Sequence, residues 1–202
     1  MLMPLYAYGL YWYSTPQPLQ RHMHGLNFLV ILVLLVVLPV LIYPILRKAN
    51  KVRSVHLETL NERLWPLGIN AILWLSFLVY LQLVVPRYSQ TLFEVSPGLI
   101  SFFFGGALCI LMALIMVILK HKSSLHMMGV SGLITHLLLQ SAYFGQSSSL
   151  SIVTISTFGL LAIIWVGVTR FKEKAHSRVE LLSGFCVGVC AQILALVLTL
   201  NT

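Results

Sequence analysis

Aspartate is absent from this chain, and its 202 residues include only five glutamates. Charged residues make up 9% of the whole, against about 25% in a typical soluble domain. A shell so poor in charge does not keep a globule of this size dissolved, which excludes a water-soluble enzyme or signalling domain. Scarce carboxylates also leave no acidic cluster of the kind that holds divalent cations. Only three cysteines occur, Cys109, Cys186 and Cys190, all inside apolar runs. They read as small buried packing residues, not as a disulfide framework or metal site.

What the chain does have is apolar sequence: 58% hydrophobic residues and a mean hydropathy of +0.92. At about 20 apolar residues per crossing, there is room for about six helices with short loops and no separate soluble domain. Six stretches can be marked, near 27–46, 66–86, 98–119, 126–144, 150–168 and 181–200. The expected fold is therefore all-α, a polytopic six-helix membrane bundle over 27–202. Pro39 and Pro44 fall late in the first stretch, where a kink or early helix end is expected. The fourth is the most polar, with Ser131, Thr135, His136, Gln140 and Ser141, and should turn at least one face into the bundle. Before the first stretch, Tyr6, Tyr8, Tyr11, Trp12 and Tyr13 crowd a run too short to cross. Residues 1–26 thus read as an interfacial or re-entrant segment anchored at headgroup level.

The thirteen Lys and Arg residues give a formal net charge of +8, which in a membrane chain points to anionic headgroups or phosphates. Nucleic acid is excluded as a partner, because the basic residues form short loop clusters and no stripe on a folded face. Six spans put connections 1–2, 3–4 and 5–6 on one side, and these hold eleven of the thirteen, all but Arg21 and Arg87. By the positive-inside rule that side is cytoplasmic. A phosphate site also collects Arg and Lys, yet setting Arg63, Lys120 and Arg170 aside leaves the bias standing. His56, His121, His126, His176 and four of the five glutamates share these connections.

Spacing separates chemistry from simple anchoring. Between spans five and six the chain reads Thr169-Arg170-Phe171-Lys172-Glu173-Lys174-Ala175-His176-Ser177-Arg178-Val179-Glu180. With a helix beginning near Ala175, His176 and Glu180 lie one turn apart, where the carboxylate accepts the imidazole N–H and raises its nucleophilicity. Arg170, in the turn before that helix, is a planar donor to phosphate oxygens. Between spans three and four, Lys120-His121-Lys122-Ser123-Ser124-Leu125-His126 opens onto a helix. Ser123 or Ser124 suits its N-cap, its first N–H groups suit an anion, and His126 suits proton donation to a leaving oxygen.

Together these segments resemble the type-2 phosphatidic acid phosphatase superfamily, integral-membrane lipid phosphatases related to vanadium haloperoxidases. The third motif of that family is Ser-Arg, five residues, His, three residues, Asp; Thr169-Arg170, His176 and Glu180 keep its spacing with Thr for Ser and Glu for Asp. The second, Pro-Ser-Gly-His, corresponds to Ser123-Ser124-Leu125-His126, with leucine for glycine. The first, Lys, six residues, Arg-Pro, is met loosely by His56 and Arg63, with the proline delayed to Pro66. The resemblance implies a phosphohistidine mechanism without metal or other cofactor. His176 is its nucleophile, Glu180 its orienter and His126 its general acid and base; Arg63, Arg170 and Ser124 hold the phosphate. His56, Lys120 and Lys122 are further candidates for the phosphate-binding charge. The implied substrate is a phospholipid or polyprenyl phosphate in the bilayer of the cell membrane, as a monoester or diphosphate. A second expectation is an inactive relative that binds or moves anionic lipid; a third is an unrelated small membrane protein whose basic loops only anchor it.

Other features read as structure. His136 and Gln140 suit an interhelical hydrogen bond, His22 and His24 a solvated loop pair, and Gly105-Gly106, Gly129–Gly132 and Gly184–Gly188 close helix packing.

Overall fold

The structure is a computed structural model that describes residues 4–5, 8–9, 21–53, 59–84, 97–143 and 149–201. Six long helices and no strand occur among them. The first, α1, runs without a break through Arg21–Ile31, Leu32–Val37 and Leu38–Lys48. Its middle segment takes the wider π form, with the Leu38 N–H reaching back five residues to the Val33 carbonyl. Pro39 has no N–H to continue a regular ladder, and the wider turn takes up that defect. Pro44 is carried inside the helix, so the early end expected there does not occur. His22 and His24 fall in the first turn of α1, not in a loop.

The second helix, α2, spans Leu60–Val79 and continues as a π turn over Tyr80–Val84. It begins before the apolar run because Thr59 caps it, its hydroxyl accepting the Glu62 N–H at 3.4 Å. Glu62 and Arg63, expected in a connection, therefore lie buried in its first turn. The remaining helices are α3 (Pro97–Ile118), α4 (Leu125–Tyr143), α5 (Ser149–Lys172) and α6 (Arg178–Leu200). Five segments are long and apolar enough to cross a membrane: Gly25–Lys48, Leu60–Leu83, Gly98–Ile118, Val153–Lys172 and Arg178–Leu200. Helix α4 is not among them, diluted by the polar residues that set it apart in the sequence. Those residues face inward: Ser131, His136 and Ser141 are buried.

Helix α6 packs between α3 and α4, while α5 lies outermost, against α4. Phe158, Leu161 and Trp165 of α5 are accordingly exposed, as expected of a lipid-facing surface. One core cluster joins Ile31, Leu35, Phe77, Leu81, Leu99 and Phe103, with the Phe77 and Phe103 rings edge-on at 4.5 Å. Tyr8 is buried in this cluster, so at that position the aromatic segment packs against the bundle. A second cluster of Leu67, Ala113, Val117 and Met128 lies nearer the α3–α4 connection. His136 bonds Gln140 within its own helix and packs on Phe102, in place of the interhelical bond expected. Cys109 is buried, but Cys186 and Cys190 are exposed on α6, contrary to their reading as buried.

Glycine decides how closely α6 meets α4. A Cβ on Gly184 would stand 2.5 Å from the Ser124 carbonyl oxygen, and one on Gly188 2.5 Å from that of Met128. Without a hydrophobic force between helices in lipid, association rests on such backbone approach and on polar contacts. The Ser131 hydroxyl supplies one, 2.7 Å from the Met127 carbonyl and 3.2 Å from the Phe185 carbonyl of α6, so that it can donate to either. Gly188→Ala is expected to destabilise the bundle by roughly 1–3 kcal/mol, the usual range for overpacking. Gly129→Ala, with nothing within 4 Å of the new methyl, should stay within about 0.5 kcal/mol. Thermal unfolding of both variants in detergent micelles checks the contrast.

Candidate functional site

Two helix starts cross at one end of the bundle. Ser124 caps α4, its hydroxyl accepting the Met127 N–H at 3.5 Å and its carbonyl the Met128 N–H at 3.0 Å. Its own N–H donates to the Glu180 carbonyl in the first turn of α6, at 3.1 Å. Ser124 is fully buried; in this state its polar groups tie the connection to α6. Ser177 caps α6, its hydroxyl accepting the Glu180 N–H at 3.3 Å. Helix α6 thus begins at Arg178 and not near Ala175, which leaves His176 just outside it.

The pairing of His176 with Glu180 survives that shift. His176 Nδ1 donates to Glu180 Oε2 at 2.7 Å, with the His176 side chain only 7% exposed. In a full capping box the glutamate side chain would reach back to its own cap; here it turns to the imidazole. With Nδ1–H committed, Nε2 of a neutral His176 carries the free lone pair, the form a nucleophile needs. Burial of the ring is the first cause holding its pKa below 6.5. The hydrogen bond that His176 donates to Glu180 opposes it, and the positive charges of Arg63 and Lys122 push the same way as burial.

Arg170 lies in the last turn of α5 and not in the following turn. One guanidinium nitrogen donates to His126 Nε2 at 2.9 Å, and another to Glu173 Oε2 at 3.1 Å. A guanidinium has no acceptor, so His126 Nε2 is unprotonated and its proton sits on Nδ1. His126 and His176 lie within electrostatic range of one another. Thr169, the third-motif counterpart of serine, donates its hydroxyl to the Trp165 carbonyl of its own helix.

Two further cations bond backbone carbonyls next to the site. Buried Arg63 donates to the Ser123 carbonyl at 2.9 Å and lies within electrostatic range of Glu180 and His176. Lys122 donates to the Ala175 carbonyl at 3.2 Å. Lys120 is exposed in a left-handed turn at φ 61°, where a non-glycine residue is uncommon. His56 lies outside the described residues. Arg63, Ser124, Lys122, His126, Arg170, His176 and Glu180 are thus gathered at one end of the bundle by bonds between chain segments up to 60 residues apart. Sequence reasoning missed Glu173 as the partner of Arg170 and Ser177 as the cap of α6. The second was legible, because Ser177-Arg178-Val179-Glu180 is a capping-box pattern, as is Thr59-Leu60-Asn61-Glu62.

His176 is expected to titrate below pH 6.5. In Glu180→Gln the carboxylate no longer favours the imidazolium, so the His176 pKa should fall further. Ring resonances followed by NMR against pH, assigned by their loss in His176→Ala, measure both; an upward shift in Glu180→Gln would contradict the pairing.

The chain matches no protein-family model, no curated protein and no solved structure, and its chemistry is read from its own side chains.

Proposed function

We propose that the protein is a membrane lipid phosphatase that hydrolyses a lipid phosphate monoester or diphosphate through a phosphohistidine intermediate. The observation that carries this reading is the part-buried His176–Glu180 pair at 2.7 Å on the same site as a second histidine bonded to an arginine, His126 with Arg170. In this reading α4 is a sixth crossing, its polar side chains shielded by α3, α5 and α6. The cationic end lies on the cytoplasmic side of the cell membrane, following the charge bias, and the substrate tail stays in the bilayer.

The incoming phosphate draws the guanidinium of Arg170 away from His126, since a dianion is a stronger acceptor than imidazole. His126 Nε2, freed, takes a proton that the neighbouring dianion stabilises. His176 Nε2 then attacks phosphorus while the bond to the lipid oxygen breaks, and His126 delivers its proton to that oxygen. Arg63 and Arg170 balance the charge on the non-bridging oxygens, the dominant contribution in phosphoryl transfer. In the second half, His126 takes a proton from water, the hydroxide attacks phosphorus, and the P–N electron pair returns to His176. Glu180 holds the ring orientation and offsets its positive charge throughout.

A second reading, a relative that binds or moves anionic lipid without hydrolysis, is favoured by one observation: Arg170 is already paired with Glu173. It requires His176→Ala to act as wild type does.

Phosphate release from vesicles holding phosphatidic acid, phosphatidylglycerol phosphate or a polyprenyl diphosphate tests the reading. His176→Ala should abolish release, and His126→Ala should slow it by about 10²–10⁴-fold. Orthovanadate, which mimics the pentacoordinate state, should inhibit. Since the neutral imidazole is the nucleophile, kcat/KM should rise with pH through the lowered His176 pKa and be free of that limitation at pH 7. Undiminished release by His176→Ala would overturn the assignment.

A further inference from the structure

A second polar feature lies on the other flank of the first turn of α2. There residues 50–53 and that turn border an open cleft of about 390 Å³, lined among the described residues by Asn50, Lys51, Arg53, Thr59, Asn61, Glu62 and Trp65. None of these residues belongs to the His176 site. Arg63, one residue beyond Glu62, points to the Ser123 carbonyl, and successive helical residues diverge by about 100° at 3.6 residues per turn.

The cleft is a built structure. Asn50 takes the left-handed conformation, at φ 57°, and the Asn50 and Lys51 N–H groups close the end of α1 on the Arg47 and Leu46 carbonyls. Val52, 1% exposed, pins the chain between the two cations. The Lys51 ammonium stands 5.0 Å over the ring of Trp65, which is itself exposed, a combination found at the headgroup boundary of a bilayer. Glu62 is 9% exposed, and its Oε2 has no hydrogen-bond donor among the described residues. A buried acceptor without a donor is costly, and a turn of the Glu62 carboxylate toward the cleft it lines lets a ligand's donor relieve it.

We propose that this cleft is a second, non-reactive site for an intact anionic phosphodiester lipid whose headgroup carries its own hydroxyl or amine donor. Lys51 and Arg53 take the phosphodiester, Glu62 takes the donor, and Trp65 meets the boundary between glycerol and acyl chain. A bare phosphate, close to a dianion at neutral pH, can bring Glu62 its one P–O–H only together with its negative charge, whereas a phosphodiester headgroup holds its donor apart from the anion. The inference does not depend on the phosphatase reading.

Native mass spectrometry of the full-length protein in non-ionic detergent tests it, titrated with phosphatidylglycerol or with phosphatidic acid of the same chains. Wild type should bind phosphatidylglycerol, and Lys51→Ala/Arg53→Ala should bind it at least tenfold more weakly. Lys51→Arg/Arg53→Lys, which keeps both charges, should bind it as wild type does, and so should His176→Ala. Glu62→Gln should reduce the preference for phosphatidylglycerol over phosphatidic acid, and millimolar inorganic phosphate should not displace the lipid. Undiminished binding by the double alanine variant overturns the proposal, as does equal loss in the charge-conserving variant. Equal loss in His176→Ala places the lipid at the other site and overturns it, and displacement by inorganic phosphate makes the cleft a free-phosphate site instead.

Discussion

The close approach of α6 to α4 is the constraint on which the candidate site depends. Gly184 lets the first turns of α6 pass against the Ser124 carbonyl, and Gly188 repeats the contact one turn further on. At that separation the Ser124 N–H reaches the Glu180 carbonyl, which fixes the start of α4 against the start of α6. His126 belongs to the first of these starts, and His176 immediately precedes the second. Their juxtaposition follows from backbone contacts made before either side chain is considered. In a bilayer, where no water is expelled when two helices meet, small residues are the means by which such contacts become close enough to hold.

Helix capping sets the second level of order. Thr59 and Ser177 each accept the N–H of a glutamate three residues on, and in both helices that glutamate leaves the usual reciprocal bond unmade among the described residues. Glu180 spends its carboxylate on His176. Glu62 keeps a buried Oε2 with no donor. The same local pattern thus places one acid in the histidine site and another at the edge of a separate cationic cleft, with Arg63 and Glu62 diverging by about 100° around α2.

The sequence made the helical rods legible and their beginnings much less so. Apolar run length locates a membrane helix, but a cap locates its first residue, and the caps at Thr59 and Ser177 lie outside the apolar runs. Arg63 and Glu62 were therefore assigned to a connection when they belong to a helix. The inward position of α4 was readable from its polar residues. Which face of α6 meets lipid was not: a helix apolar on nearly every side carries no strong periodicity, so Cys186 and Cys190 could not be told from core residues. The packing of Tyr8 into the core cluster was not legible for a related reason, since an aromatic suits a core and a headgroup boundary equally well. At the site, the four-residue interval between His176 and Glu180 announced their pairing, although only one of them proved to be helical. The contact of Arg170 with His126 spans 44 residues; no local pattern encodes it, and only the family resemblance suggested it.

The distribution of positive charge gains a different meaning once the partners are known. Composition presents thirteen cations as one excess, but those at the site are not equivalent. Arg63 and Lys122 bond neutral carbonyl oxygens, of Ser123 and Ala175, and the Glu180 carboxylate lies within electrostatic range of Arg63. Arg170 is divided between an imidazole and a carboxylate. A carbonyl or imidazole is a weak acceptor beside a phosphate dianion, and charge-assisted bonds are roughly twice as strong as neutral ones. On the proposed reading a lipid phosphate outcompetes the carbonyl and imidazole acceptors, Glu173 still competes for Arg170, and the cations are already gathered to meet it. Such preorganisation is the main contribution a protein makes to phosphoryl transfer, where positioning and charge, not covalent variety, set the barrier.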